Sequence, residues 1–341
     1  MQRKRSIILV TLLLICIFSA SCFVNDQVKE NQDEKPSLIE QRRFLEENNQ
    51  EVNSTTSREY QLDSSASKTK AGRANESQID PLTSQREVVI ARKNELDLKD
   101  LENKIETYLD QQKIDRSSLS VYVTDLTRDQ EYCFNETVFF GAASIYKLPI
   151  AMLFYDDINK GEISFDTNYV YEASYHQAGG PIPYTYNIGD EIPLDQLLND
   201  MIEFSDNTSA WILYHNYGGW EVHRTEALRY TNYQLGHKFL AYENYMTSQY
   251  TNDLLLHIYN HQNEYALLLE SMKNSFPENY LNLNCNNSTY QKHGNYLDAM
   301  GGVGLVLDGN PYAISILTSL GNCGEIHLGN INKIVYHHFN P

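Results

Sequence analysis

Apolar side chains recur at Leu96, Leu98, Leu101, Ile105 and Tyr108, the three-and-four spacing that lines one face of a helix. From Leu119 to Leu126 the period shortens to alternation and predicts a strand. Thr127-Arg128-Asp129-Gln130 reads as a turn, and a second strand near 131–134 completes a hairpin. A strongly apolar stretch from Ser144 to about Asn159, closed by Gly161, predicts a helix, and further helices are expected at 193–204, 208–217, 248–260 and 264–274. The C-terminal third changes character. Strands are expected at about 291–298, 301–308 and 311–318, the last two joined by Asp308-Gly309-Asn310-Pro311, with a final helix at about 324–338. Strands at both ends and helices between them predict an α+β fold. One antiparallel sheet is built from both termini of the domain, flanked by helices, with an inserted all-α subdomain.

Upstream the pattern is different. Arg3, Lys4 and Arg5 precede an apolar run from Ile7 to Phe18, and Ser19-Ala20-Ser21 lead to Cys22, which together read as a secretory signal over residues 1–22. The run is short for a permanent span of a hydrocarbon core about 30 Å thick. Residues 23–88 are rich in Glu, Gln, Asn, Ser and Lys with no sustained apolar period, so they read as a disordered tether. Residues 89–341 are then the folded domain.

Charge and cysteine usage narrow the partners. The 341 residues hold 27 Lys and Arg against 45 Asp and Glu, a net charge of −18, and −17 of it falls on 89–341. Such a surface repels a phosphate backbone and no basic stripe offsets it, so nucleic acid is not an expected partner; strong adhesion to anionic lipid or wall polymer is disfavoured for the same reason. Five cysteines, at 16, 22, 133, 285 and 323, are too few for a disulfide scaffold, and no C-x-x-C pair marks a zinc site. Neither metal nor other cofactor is expected, and the oligomeric state is left open.

Candidate chemistry begins at Ser144-Ile145-Tyr146-Lys147, at an expected helix start. Positions i and i+3 share a face, so the Lys147 amine can take the Ser144 proton, while free N–H groups at a helix N-terminus favour a developing oxyanion. The spacing alone carries little, since Ser65…Lys68 and Ser67…Lys70 repeat it inside the tether. Context raises it. Ser205-Asp206-Asn207 follows an apolar helix and adds a second hydroxyl to pass a proton and an amide to hold a carbonyl. Lys292-His293-Gly294, on an expected strand, adds a cation for a carboxylate and a glycine that permits close backbone approach.

In this order and spacing the three elements resemble those of the penicillin-recognising serine enzymes, class A β-lactamases above all, over about 95–341. The resemblance implies the β-lactamase/transpeptidase-like fold, with Ser144 as acylated nucleophile, Lys147 as its proton acceptor and Ser205 as proton shuttle. It further implies Asn207 as substrate contact, Lys292 as carboxylate anchor, and the backbone N–H groups of Ser144 and Asn295 as the oxyanion hole. Two amines beside one serine should depress each other's pKa. Small residues before Cys22 resemble a bacterial lipobox, although Ser19 stands where an aliphatic residue is usual. That resemblance implies an extracytoplasmic lipoprotein anchored through Cys22; ordinary signal cleavage nearby would give a secreted protein.

The chain also departs from the family. His293 occupies a position where a threonine or serine is usual, and either replaces that hydroxyl as a donor or points away. No Glu-x-x-Leu-Asn motif for a deacylating water occurs between Asn207 and Thr247; Glu243 is the nearest carboxylate and the loop reads as shortened, so an ester would form and hydrolyse slowly. Two functions follow. One is a tethered serine hydrolase acting on a β-lactam or an acyl-D-alanyl-like amide. The other is a surface module, catalytically weak or inactive, that recognises cell-wall peptide.

Other features read as structural. His257 and His261 share a helix face without a third ligand in sequence, and His337-His338 is similarly bland. Cys285 and Cys323 are candidates for pairing only in an oxidising compartment. Tyr184 and Tyr186 are packing residues or walls of the cleft, and Asn-x-Ser/Thr matches such as those at Asn53, Asn135 and Asn207 are coincidence in a bacterial lipoprotein.

Overall fold

Leu119, Val121 and Val123 project from one face of strand β1 (Leu119–Asp125) and Ser120, Tyr122 and Thr124 from the other, yet the whole strand is buried. It is an interior strand of the main sheet. A computed structural model of the chain describes residues 98–128, 130–285 and 288–341, all within the compact unit Asn75–Pro341. The expected signal, Cys22 and the tether lie outside the described residues.

Helix α1 (98–112) precedes β1 and its hairpin partner β2 (Gln130–Phe134). Short strand β3 (Phe140–Gly141) leads through a 3-10 turn, Ala143–Tyr146, into α2 (Lys147–Asn159). Next come β4 (Asn168–Val170), α3 (Ile182–Thr185), β5 (Glu191–Pro193), α4 (Leu194–Glu203) and α5 (Asn207–Asn216). After these stand α6 (Trp220–Glu226), α7 (Gly236–Leu240), β6 (Tyr245–Met246), α8 (Ser248–Asn260) and α9 (Ala266–Asn274). The chain closes with β7 (Thr289–Tyr296), β8 (Ala299–Val306), β9 (Tyr312–Thr318) and α10 (Gly324–Phe339).

The main sheet runs β2-β1-β9-β8-β7, every neighbouring pair antiparallel, with Val121 opposite Ile316 and Lys292 opposite Val303. Both chain ends complete it, as the pattern predicts. Its aliphatic face packs Val121, Ile314 and Ile316 against Leu101 and Ile105 of α1 and Leu328 and Ile331 of α10. The opposite face of β1 alternates into polar residues, a pattern usually left to water, but α8 covers it with matching groups. Ser120 Oγ lies 2.6 Å from Ser248 Oγ, and Asn252 Nδ2 donates to Thr124 Oγ1 at 2.9 Å, so this buried polar face is paired.

Helix α2 is buried along most of its length, from Lys147 through Tyr155. A helix apolar on all sides belongs inside. It runs through the second core cluster, with Leu148, Ile150 and Leu153 packed among side chains that include Leu197, Met201 and Leu254, and so delivers its N-terminus to the sheet.

Strands β7 and β8 each begin two residues earlier than expected, because the chain turns at Leu297, a non-glycine residue at φ 56° that carries no turn signature. The stretch read as a shortened loop holds α6, a 3-10 turn at Ala227–Tyr230, α7 and β6. Long-range bonds organise it. The buried Arg224 guanidinium donates to Phe239 O at 2.9 and 2.7 Å and to Tyr245 O at 2.6 Å, and it lies 3.9 Å over the Phe239 ring. Among the described residues no helix is long and apolar enough to cross a membrane.

Candidate active site

The turn carrying Ser144 is held from two sides. Ala143 sits at φ 44°, a conformation that costs a non-glycine residue on the order of 1 kcal/mol or more. Ala142 N donates to Asn244 O and Asn244 Nδ2 donates to Ala143 O, both at 2.8 Å, which clamps the turn to the chain just before β6. On the other side lies β7. A Cβ at Gly294 would stand 2.4 Å from Ala142 O, so only glycine lets the strand come this close.

The Lys147 backbone N–H donates to Ser144 O, and in a 3-10 turn side chains at i and i+3 eclipse. Ser144, half-buried, and the fully buried Lys147 therefore share one face. Lys147 Nζ donates to Ser205 O and Asn207 Oδ1, both at 2.6 Å, and reaches Ser205 Oγ at 3.3 Å. Burial lowers the amine's pKa to about 7, against a smaller opposing pull from the Asp206 carboxylate.

Lys292 arrives from β7, likewise fully buried. Its Nζ donates to Ser205 Oγ and to His293 O, each at 3.0 Å. Burial first, and then Lys147, hold its pKa well below the usual lysine value. Two amines thus converge on one hydroxyl oxygen, which accepts from both, and its own proton is left to point elsewhere. Ser205 itself stands at φ 56°, between α4 and α5.

Asp206 and the glycines before α3 explain that geometry. The Asp206 carboxylate caps α5 by accepting from Ser209 N at 2.6 Å, and it also accepts from Ile182 N at 2.9 Å. Asn207 N donates to Gly179 O at 3.0 Å and Asn207 Nδ2 to Ala178 O at 2.7 Å, turning Oδ1 toward Lys147. At Gly180, φ 103°, a Cβ would collide with Asp206. Asp206, Asn244 and the glycine pair were not legible as site residues. The Gly179-Gly180-Pro181 run beside a helix-capping aspartate was the available signal.

His293 takes the second of its two alternatives. Its ring stacks on Tyr280 at 4.0 Å between centroids and meets Phe276 edge-on at 4.4 Å, because strand alternation puts it opposite Lys292 and Gly294. Asn295, next on that face, receives no side-chain contact with the amines; its Nδ2 donates to Asn322 Oδ1 at 3.2 Å. Tyr184 is 89% exposed and Tyr186 packs against the core. Cys285 and Cys323 are free thiols, and His257 and His261 lie ring to ring at 4.4 Å.

Glu243 lies in the segment that borders the Ser144 turn, next to Asn244. Asp206 is spent on backbone N–H groups, Glu226 pairs with Arg229, and among the described residues no carboxylate hydrogen-bonds to Ser144 or Lys147. Beside them lies an aromatic chain, Tyr146 to Trp220 at 5.6 Å and Trp220 to Tyr242 at 5.1 Å.

A family described as "Beta-lactamase enzyme family" matches residues 100–339. Among solved structures the chain is similar to PBP-A, at 17% identity and TM-score 0.61 over 70% of this chain and 96% of that one. It is similar to the TLA-3 extended-spectrum β-lactamase at 22% identity and TM-score 0.61, covering 70% and 98%. A β-lactamase from Chitinophaga pinensis matches at 20% identity and TM-score 0.60, covering 71% and 100%. No curated protein matches in sequence.

Proposed function

The chain belongs to the β-lactamase enzyme family, and from that premise we propose that it forms a Ser144 ester with a β-lactam or an acyl-D-alanyl-like amide and releases it slowly. The observation that carries this is the convergence of the buried Lys147 and Lys292 amines on Ser205 Oγ beside the Ser144 turn. Lys147, neutral, accepts the Ser144 proton as Ser144 Oγ bonds to the carbonyl carbon. The negative charge on the carbonyl oxygen falls to the backbone N–H groups of Ser144 and Asn295. As the C–N bond breaks, Ser205, fed by Lys147, passes its free proton to the leaving nitrogen. Asn207 holds the substrate amide and Lys292 the carboxylate, with Gly294 giving room. No cofactor takes part in these steps.

Water must then attack the ester, and a base for it is what Ser144 and Lys147 lack among their hydrogen-bond partners. A penicillin-binding enzyme with a persistent ester is therefore favoured over a rapid β-lactamase. A mutant of the similar PBP-A is known as an acyl-enzyme with penicillin G. The test is intact mass of the full chain over time with penicillin G. A lasting adduct of the drug's mass, absent in Ser144→Ala, is expected; no adduct, or one that persists in Ser144→Ala, rejects the assignment.

The signal-like residues 1–22, the polar segment 23–88 and Cys22 support placing this domain outside the cytoplasm as a tethered lipoprotein.

A further inference from the structure

Strand β7 is an edge of the main sheet and carries the Asn295 N–H that the proposed chemistry gives to the developing oxyanion. Its neighbour β8 offers little support at that end. His293 lies opposite Gly302 and Gly294 opposite Gly301, so no cross-strand side chain fixes either position. The support comes instead from residues 275–281, which follow α9. Gln291, His293 and Asn295 alternate onto one face of β7, and this segment meets all three. Gln291 Nε2 donates to Ser275 O, Phe276 O and Asn279 O at 3.0, 2.9 and 3.1 Å, and its Oε1 accepts from Leu281 N at 3.0 Å. Leu281 takes the space that a side chain at 302 would need, since a Cβ there would stand 2.8 Å from Leu281 Cγ.

Two bulky residues of the segment hold left-handed backbone, Phe276 at φ 46° and Tyr280 at φ 56°, a conformation such residues seldom adopt unless their surroundings impose it. What the strain secures is two rings against His293. Tyr280 lies nearly parallel to the imidazole, 10° between planes, and Phe276 meets it edge-on. Glu325 of α10 accepts from Tyr280 N at 3.3 Å and from Asn279 Nδ2 at 3.2 Å, which anchors the segment from behind. The Tyr280 hydroxyl meets the Asn295 side chain, two residues along from the ring it stacks on. His293 Nδ1 is buried with no hydrogen-bond partner among the described residues. Burial, and then the two lysines, hold the imidazole pKa well below the usual histidine value, so the ring is neutral. It serves as a flat packing surface and not as an acid or base.

Resting on the Ser144 ester proposed above, we infer that the Tyr280–His293 stack positions the oxyanion site, fixing the end of β7 so that the Asn295 N–H meets the charge developing on the carbonyl oxygen. His293 and Tyr280 are positioning residues, acting through the backbone of β7. A donor displaced by a fraction of an ångström changes substrate binding little and transition-state binding much. The test uses the full chain with Tyr280→Ala, His293→Thr and His293→Phe. Intact mass at several penicillin G concentrations separates the acylation rate constant from half-saturation. Calorimetry with a boronic acid bearing the same acyl arm, whose tetrahedral adduct carries the negative charge, reports the oxyanion site directly. Tyr280→Ala and His293→Thr are each expected to lower the rate constant about 10- to 100-fold and to weaken the boronic acid by a similar factor, with half-saturation changed less than about twofold. His293→Phe keeps a ring against Tyr280 and gives up only the unpartnered Nδ1, so it should recover most of the rate lost in His293→Thr and leave the pH midpoint of acylation unmoved. Melting curves accompany each variant, and Tyr280→Leu, bulk without a ring, replaces any variant that does not fold. An unchanged rate constant, a loss confined to melting temperature or half-saturation, or no recovery in His293→Phe overturns the stack and leaves the Ser144 ester standing. Boronic acid binding that weakens in Tyr280→Ala, without a penicillin adduct on the unmodified chain, supports the stack and removes the ester with penicillin; no adduct and no boronic acid binding overturns both.

Discussion

Lys147 sets the pH dependence of the chemistry. In the ammonium form it has no lone pair for the Ser144 proton, and burial places the change to the neutral amine at about pH 7 instead of the usual 10.5. The rate of Ser144 acylation is therefore expected to rise with pH and level off above a midpoint near 7. Lys147→Arg, which stays protonated, should lower the rate by about 10²- to 10⁴-fold. Stopped-flow or mass-resolved acylation from about pH 5 to about pH 9 checks this; a flat profile would remove Lys147 as the base.

The Ser144 turn is an element whose geometry is imposed from outside. Its own sequence does not ask for φ 44° at Ala143; β7 through Gly294 and Asn244 through two hydrogen bonds hold it there. In Gly294→Ala the new methyl meets the Ala142 carbonyl, backbone that has no rotamer to give way. We expect a loss of about 1–3 kcal/mol and, at about 2–4 °C per kcal/mol for a domain of this size, a melting temperature lower by several degrees. Acylation should slow as well, because the turn that carries the nucleophile must shift. Unchanged melting and rate together would mean that β7 does not brace the site. The segment 220–246 is the other brace, and buried Arg224 ties its ends by bonds to Phe239 O and Tyr245 O.

For the chain as a whole, both termini of the domain meet in one sheet while the helical part carries α2 and Ser205. The cleft therefore lies where sheet and helices join. Upstream, the proposed anchor makes a simple prediction: in a bacterial host the chain should sediment with membranes, whereas Cys22→Ser should move it to the soluble or released fraction. Immunoblots of both fractions decide it, and equal partition of the two forms would reject lipidation at Cys22.

Periodicity alone placed the hairpin, the apolar helix after Ser144, the later helices and the three C-terminal strands, because a helix or strand buried on one face repeats its apolar residues at its own period. Three spaced motifs likewise named Ser144, Lys147, Ser205, Asn207 and Lys292, since each is a local signature. Other features depended on contacts between residues far apart in the chain. The cover that α8 gives through Ser248 and Asn252 made β1 a strand buried on both faces instead of a half-exposed one. Nothing local announces that Asn244, a hundred positions on, clamps Ala143, or that Arg224 folds a stretch without apolar period. His293 faced Tyr280 and Phe276 because of the sheet's pleat and register, which the motif itself does not state.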